Sequence, residues 1–243
     1  MKHRKEWITK KNKLRILKIS SIKCNCYLVT NGQSTILVDT NITLKRKQML
    51  RNLNELGFHQ LNAIVLTHTH FDHAGNVAFL RNKFRCAVFV HDAEEEKLAV
   101  GCTPLPLGAI FPLSILTRYV NKHHIVLPFQ KYEPCKATTI IHDIYNLNAI
   151  GLAAYILHTP GHTFGSVSII VDEEIALVGD TMVHGVGGSI YPPFVDNPKL
   201  LLNSWQKLLN TGCRLFLPAH GGENTRIVVS RCFDRYTKKQ NDC

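Results

Sequence analysis

The chain has 243 residues, 45% of them hydrophobic, and a formal net charge of +11 at pH 7. This length and composition predict a single globular domain, 1–243, with a sizeable core. No apolar run approaches the roughly 20 residues that cross a bilayer, and the N-terminus lacks the apolar block of a signal peptide. We therefore expect a cytoplasmic protein without membrane insertion.

The positive charge is concentrated at the start of the chain, since residues 1–23 hold nine Lys or Arg and one Glu. It therefore indicates a basic segment, of which 1–13 can be flexible. It does not indicate a uniformly basic face for nucleic acid.

Eight cysteines are scattered along the chain without a Cys-x-x-Cys pair. This spacing argues against a zinc finger, a thioredoxin-type redox pair and a compact disulfide framework, so we expect reduced thiols.

The first half of the chain predicts a β-meander followed by a β-α-β unit. Strands rich in β-branched residues are expected at 14–19, 24–30 and 35–39, with Asn31-Gly32 as a hairpin turn. An amphipathic helix follows at 42–56, then a strand at 63–66, a helix at 75–83 and a strand at 86–90. Region 101–134 contains several prolines and no clean apolar period. One interpretation of this region is a helical insertion that covers a functional site.

The second half predicts strands at 138–145, 153–157, 166–171, 175–178 and 214–217, with helices at 198–210 and 225–236. Both halves place strands before a helix, although no sequence repeat is visible. This order fits two sheets packed face to face with helices outside.

The six residues His68-Thr69-His70-Phe71-Asp72-His73, called the hexad below, place three imidazoles and a carboxylate directly after the strand at 63–66. Imidazole nitrogens and carboxylate oxygens bind zinc, iron and manganese in proteins. Side chains at the carboxyl end of a strand can converge on one point. The hexad therefore predicts a metal site.

Three later strand ends carry further residues of the ligand type, namely His162, Asp180 and His220. Each alone is more simply explained as a turn or core residue. Together, in order behind the hexad, they favour a shared metal site.

With these residues in this order, from Asn25-Cys26-Tyr27-Leu28-Val29 and Asp39 through the hexad to His220, the chain resembles the metallo-β-lactamase-fold hydrolases. That superfamily includes glyoxalase II-type thioesterases and lactonases. The resemblance covers nearly the whole chain and implies an α/β fold, an αβ/βα four-layer sandwich of two mixed β-sheets with outer helices. It also implies two divalent metal ions at one edge of the sheets, with zinc preferred and iron or manganese as alternatives.

The resemblance implies a role for each motif residue. One metal would be bound by His68, His70 and His162, the second by Asp72, His73 and His220, with Asp180 bridging the two. Asp39 would orient a ligand histidine. Because His73 completes the second set, the glyoxalase II-like or lactonase-like branch is favoured over the true β-lactamases.

The implied reaction is hydrolysis of a small ester, thioester or lactone-like bond, in which paired cations lower the pKa of a water between them. Asp72 and Asp180 would be the catalytic carboxylates, and the substrate would be a small molecule. Two features limit the closer assignment. Lactonases place a tyrosine three residues after the bridging aspartate, where this chain has Val183, and little chain follows His220 for the helical domain of glyoxalase II.

Two alternative functions stay open. A mononuclear iron dioxygenase of the same fold would use two histidines and the aspartate, but the complete second ligand set argues against it. A phosphodiesterase or nucleic-acid-processing enzyme would use the basic segment, which lies away from the motifs in the sequence. The sequence does not define an oligomeric state.

Two further regions are candidates for the substrate side of the site. The glycine-rich loop 184–193 follows Asp180, so His184 and Tyr191 are candidates for substrate contact, with a purely structural crossover as the equal alternative. The apolar run 105–116 is either a core helix, which we favour, or a lid that gives the site an apolar wall.

Overall fold

The computed structural model describes residues 5–20, 24–108, 112–123, 125–185 and 188–241. Within these ranges the chain forms two β-sheets that pack against each other, with α-helices on the outer faces. No helix in the described ranges combines the length and the apolar content needed to cross a membrane.

The first sheet holds seven of the described strands in chain order. They are β1 (Glu6–Ile8), β2 (Arg15–Ser20), β3 (Cys26–Thr30), β4 (Thr35–Val38), β5 (Ala63–Val65), β6 (Ala87–His91) and β7 (Thr139–Ile141). Strands β1 to β4 form an antiparallel meander, and β4 to β7 are parallel. Five helices lie between the parallel strands in the chain: α1 (Arg46–Glu55), α2 (Phe71–Ala74), α3 (Val77–Phe84), α4 (Asp92–Val100) and α5 (Leu113–Lys122).

The second sheet holds six described strands in the order β13-β12-β11-β10-β9-β8. Their bounds are β8 (Ile144–Asn146), β9 (Ala154–His158), β10 (Val167–Val171), β11 (Ile175–Gly179), β12 (Leu215–Pro218) and β13 (Asn224–Thr225). Strands β11 and β12 are parallel, and the other neighbours are antiparallel. Helices α6 (Pro198–Asn210) and α7 (Arg226–Asn241) cover the outer face of this sheet.

The four layers are visible in the way successive side chains of a strand pack on opposite faces of their sheet. In β5, Ala63 and Val65 pack toward the second sheet, whereas Ile64 packs with the α1 and α3 side chains. In β10, Ile169 points into the space between the sheets and Ile170 toward α6 and α7. Successive side chains of a strand point to opposite faces, and both faces of each sheet are therefore buried. The αβ/βα sandwich expected from the sequence is confirmed.

Several elements differ from the prediction. The single strand expected at 138–145 is two strands in different sheets, β7 and β8, because the chain crosses between the sheets at the polar and exposed pair His142-Asp143. Helix α4 was not predicted, since three consecutive glutamates leave it almost no apolar period. Strand β1 lies inside the segment 1–13 that could have been flexible, and its backbone pairs with β2.

The insertion at 101–134 contains the helix α5, as the open alternative allowed. The preference for core packing of the run 105–116 is wrong for its last two residues, because Ile115 and Leu116 are 59% and 58% exposed. Residues 109–111 of that run lie outside the described ranges.

Candidate metal centre

The predicted ligands come together because each follows a strand at the same end of the sandwich. The hexad follows β5, and His162, Asp180 and His220 follow β9, β11 and β12. Gly179 makes the close approach of the two sheets possible, since a Cβ on this residue, whose φ is +51°, would lie 2.7 Å from the Thr67 side chain. Only glycine fits this position without a clash.

Three buried histidines form the first cluster. The Nε2 atom of His162 lies 3.2 Å from Nε2 of His68 and 3.1 Å from Nδ1 of His70. A tetrahedral zinc ion with bonds of about 2.0–2.1 Å holds neighbouring nitrogens about 3.3 Å apart. The spacing of the three nitrogens therefore fits one metal ion.

The second cluster consists of Asp72, His73 and His220. The Asp72 carboxylate lies 3.9 Å from Nε2 of His73 and 3.4 Å from Nε2 of His220. The side chains of Asp72 and His220 are 19% and 33% exposed, while His73 is fully buried. Solvent therefore reaches the centre from the Asp72 and His220 side.

Asp180 lies between the two clusters. Its Oδ1 is 3.6 Å from Nε2 of His73, and its Oδ2 is 3.6 Å from Nε2 of His162 and 3.3 Å from Nε2 of His220. One carboxylate thus faces donors of both clusters, which is the arrangement that a bridging ligand requires.

Hydrogen bonds behind the ligands fix their orientation. Nδ1 of His73 donates to Oδ2 of Asp39 at 2.9 Å, and Asp39 also accepts the Thr67 amide at 2.8 Å. Nδ1 of His162 donates to the Phe194 carbonyl at 2.9 Å. These bonds leave Nε2 of both histidines free to bind a cation, as is usual for metal-ligating imidazoles. Asp39 thus contacts His73, one of the predicted ligand histidines.

Two buried atoms of the centre lack a hydrogen bond to the described part of the chain. Nε2 of His73 and Oδ1 of Asp180 accept or donate no hydrogen bond within the described part of the chain. An unsatisfied buried polar atom costs about 1–3 kcal/mol, so such atoms are rare in native proteins unless a ligand or ion satisfies them. A cation between these two atoms would satisfy both, and the residues present therefore fit a metal centre.

The electrostatics of the centre are suited to binding cations. Burial and the neighbouring histidines lower the pKa of His68 and His70, which keeps both imidazoles neutral. Burial also lowers the pKa of His73, but the carboxylates of Asp39, Asp180 and Asp72 outweigh it and raise the pKa to about 10. Burial also lowers the pKa of His220, but the Asp180 carboxylate outweighs this effect and raises the pKa above its ordinary value. In the metal-free protein, protons on these two histidines balance the carboxylates.

Behind the first cluster lies a buried network that sequence reasoning missed. Glu94 of α4 is fully buried, and its carboxylate accepts the amide and hydroxyl of Thr69, between His68 and His70. Lys97 donates to the same carboxylate at 2.9 Å. Nothing in the sequence singles out Glu94 among three consecutive glutamates, because its role depends on the packing of α4 against the hexad.

The two candidates for substrate contact have different surroundings. His184 is exposed, its amide donates to the His220 carbonyl at 2.9 Å, and its ring pairs with Asn224. It therefore lies beside the second cluster. The Tyr191 ring is partly buried and stacks on Tyr236 of α7 with centroids 4.6 Å apart. The His184 backbone therefore contacts the second cluster, whereas the Tyr191 ring packs against aromatic side chains of α6 and α7.

A two-sheet sandwich with a His- and Asp-rich centre at one edge agrees with the sequence comparisons. A profile of the Metallo-beta-lactamase superfamily matches residues 22–220, and the chain belongs to this superfamily, as a hydrolase.

Similar proteins support this assignment at different levels. A probable metallo-hydrolase of Methanocaldococcus jannaschii is 28% identical over 164 residues, 67% of this chain and 69% of that protein. An atrochrysone carboxyl ACP thioesterase of Aspergillus fumigatus is 24% identical over 221 residues, 89% of this chain but 57% of that protein. A metallo-beta-lactamase family protein of Thermus thermophilus shares the fold, with a TM-score of 0.66 and 22% identity over 98% of this chain and 79% of that one.

Proposed function

We propose that the protein is a dinuclear-metal hydrolase that cleaves a small ester, thioester or lactone-like bond. The observation that carries this proposal is Asp180, whose carboxylate faces donors of two separate clusters, each with three potential ligands. A mononuclear enzyme has no need of the second cluster. The complete donor set at Asp72, His73 and His220 also supports the glyoxalase II-like or lactonase-like branch.

The residues of the centre would bind the two ions in two sets. His68, His70 and His162 would hold one ion, and Asp72, His73 and His220 the other, with Asp180 shared. Two divalent ions, for which we propose zinc, supply an acidic water and a Lewis acid for the carbonyl oxygen. Asp72 lies on the open side of the centre, where it can orient a substrate and exchange a proton with solvent.

A small-molecule substrate is favoured over nucleic acid. The amides of Lys10 and Lys11 donate to Glu174, which precedes β11, whereas Asp180 follows that strand. These two cations of the basic segment therefore lie at the opposite end of the sheet from the centre. Lys5 is paired with Glu223 at 2.9 Å. Nucleic-acid binding usually needs unpaired cations along one face.

A thioester is a plausible member of the proposed substrate class for two reasons. The Aspergillus fumigatus relative is named as a thioesterase, and thioester hydrolysis needs only an activated water and a polarised carbonyl. The chemistry of the centre alone does not distinguish a thioester from an oxygen ester or a lactone, because the same water attacks the same carbonyl carbon.

The test is hydrolysis of a panel of esters, thioesters, lactones, β-lactams and phosphodiesters by metal-loaded and chelator-treated protein. We expect turnover of an ester, thioester or lactone that chelation abolishes and zinc restores. Asp180→Ala should lose activity, while Asp143→Ala, which removes an exposed carboxylate that belongs to neither cluster, should retain it. Full activity of the metal-free protein, or oxygen consumption with one iron per chain, would overturn the proposal.

A further inference from the structure

Exposed apolar side chains are concentrated in one part of the described surface. Six of the twelve large hydrophobic residues that are exposed in the described ranges lie on α5 and the loop after it. These six, called the apolar face below, are Ile115, Leu116, Tyr119, Ile125, Val126 and Phe129, each between 41% and 59% exposed. A contiguous exposed apolar patch usually marks a binding surface.

The apolar face belongs to a segment that is attached to both ligand loops. On the hexad side, the Thr103 hydroxyl donates to the Thr69 carbonyl at 2.6 Å, and the Phe129 ring packs on Phe71 with centroids 5.1 Å apart. On the His162 side, the Leu107 carbonyl accepts the Val195 amide at 2.7 Å, next to Phe194, whose carbonyl accepts Nδ1 of His162. The segment therefore lies beside the metal centre.

The side of α5 that packs inward is short and already filled. Thr117 and Val120 are buried, and the Thr117 hydroxyl accepts the Gly108 amide at 2.9 Å. Ile115 and Tyr119 lie on the side of the helix away from these two residues, Leu116 lies beside Val120, and all three side chains are exposed. Phe129 contacts Phe71, the residue before Asp72, so one end of the apolar face packs against the hexad.

The charge on this segment has one sign. Residues 101–132 contain no Asp or Glu, and they contain Arg118, Lys122 and Lys131. Arg118 and Lys122 are exposed on α5 between the apolar residues. An apolar surface interspersed with cations favours a ligand that has a hydrocarbon part and a negative charge.

We propose that the apolar face binds the acyl chain of an anionic acyl substrate while the ester or thioester carbonyl lies at the metal centre. This inference rests on the proposed function and deepens it, since it assigns the substrate a long apolar acyl group. The contact of Phe129 with Phe71 in the hexad, together with the cations on α5, favours an anionic acyl chain over a separate partner. Arg118 and Lys122 would contact the anionic group.

The first test is the dependence of kcat/KM on acyl length, measured with the metal-loaded full chain and acetyl, hexanoyl and decanoyl thioesters of 2-mercaptoethanesulfonate. Burying one methylene contributes up to about fourfold in affinity, and a half-open surface about twofold. We expect kcat/KM to rise about tenfold from acetyl to hexanoyl and further to decanoyl. In Ile115→Ser/Leu116→Ser the ratio of kcat/KM for the decanoyl thioester to kcat/KM for the acetyl thioester should fall close to one.

Two further variants complete the design. Leu44→Ser/Ile227→Ser changes two apolar residues outside the segment that are more exposed than Ile115 and Leu116, at 90% and 63%, and should keep the wild-type length dependence. In Arg118→Glu/Lys122→Glu, kcat/KM should fall several-fold more for a 2-mercaptoethanol thioester whose hexanoyl chain ends in a carboxylate than for the neutral hexanoyl thioester.

The outcomes separate this inference from the proposed function. If no ester or thioester is hydrolysed, the proposed function fails and the inference with it. If acetyl and decanoyl thioesters are hydrolysed equally well, the proposed function stands and the inference is overturned. Length-independent turnover together with binding to phosphatidylglycerol vesicles, or with a dimer that the serine variant dissociates, would overturn it in favour of a membrane or a second copy of the chain as the occupant.

Discussion

His73 shows how single residues prepare the centre for a metal. Its Nδ1 atom is occupied by Asp39, and its buried Nε2 atom has no hydrogen-bond partner in the described ranges. Asp39 has a positive φ of +60°, a conformation that Asn and Asp tolerate better than most residues. The carboxylate therefore occupies a backbone position that suits it and fixes the histidine that completes the second cluster.

Asp39→Asn keeps a residue that tolerates this backbone conformation and removes the charge that orients His73. We expect the zinc affinity of the second cluster to fall about 10–100-fold, as is typical for loss of a carboxylate behind a ligand histidine. Competition titration with a chelator measures the change. The matched control is Asp143→Asn, an exposed carboxylate on the surface, and equal affinities in both variants would show that Asp39 does not orient His73.

Glu94 supports the first cluster from within the core. In Glu94→Ala the Thr69 amide loses its buried acceptor and Lys97 its partner, so we expect the free energy of unfolding to fall by about 2–4 kcal/mol. Glu94→Gln retains an acceptor and should lose less. Denaturant unfolding of the metal-free protein measures both, and wild-type stability of the alanine variant would contradict the role given to Glu94.

At the scale of elements, the turn between β10 and β11 anchors the chain between β1 and β2. Asp172 accepts the Asn12 amide at 2.7 Å, and Glu174 accepts the amides of Lys10 and Lys11. Burial raises the pKa of Asp172, but the hydrogen bonds from Asn12 and Thr9 and the charge of Lys11 outweigh it, so the pKa lies below its ordinary value. Strand β1 is thereby attached to the second sheet as well as to β2.

A carboxylate with a depressed pKa stabilises the fold above its unfolded pKa of about 3.9 and loses this contribution as the pH falls through its folded pKa. For Asp172 we expect about 1 kcal/mol, lost below about pH 4. Residue 172 has a positive φ of +56°, which asparagine tolerates. Asp172→Asn should therefore remove this part of the pH dependence of stability. The check is unfolding at neutral pH and at about pH 3, and equal pH dependence of variant and wild type would contradict the assignment.

At the scale of the whole molecule, the centre joins the two sheets. The hexad follows β5 of the first sheet, whereas His162, Asp180 and His220 follow strands of the second. A metal ion bound by both groups stabilises only the packed sandwich, because the unfolded chain does not hold the ligands together.

We therefore expect chelation to lower the melting temperature. At a free zinc concentration about 100 times the Kd, binding contributes about 2.7 kcal/mol, or roughly 5–10 °C for a chain of this size. His73 and His220, whose pKa values are raised, must lose their protons to bind metal. Zinc affinity should thus rise with pH from 6 to 8. Calorimetry with and without chelator at both pH values is the check, and an unchanged melting temperature would contradict a metal link between the sheets.

The sequence was sufficient for the parts of the structure that depend on local pattern. The buried strands, the turn at Asn31-Gly32 and the ligand positions at strand ends follow from short-range periodicity and residue chemistry. Parts that depend on long-range packing were not predictable. The crossing between sheets at 142–143, the burial of Glu94 and the packing of Tyr191 under α6 and α7 are decided by elements far away in the chain.

The exposure of α5 illustrates the same limit. Its apolar residues, Ile115, Leu116 and Tyr119, indicate a core helix when only composition is considered, yet they lie on the surface. Periodicity shows that a helix has an apolar side but not whether another element of the chain covers it. Only the packed structure shows that these three side chains are exposed.

The central claim is that the two clusters each bind one metal ion and share Asp180, and the most direct measurement is the number of zinc ions bound per chain. Elemental analysis of zinc-saturated, dialysed protein should give two ions for the wild type and one for His73→Ala, with Asp143→Ala as a control that keeps two. A wild type that binds a single ion, or a His73→Ala variant that still binds two, would contradict the account.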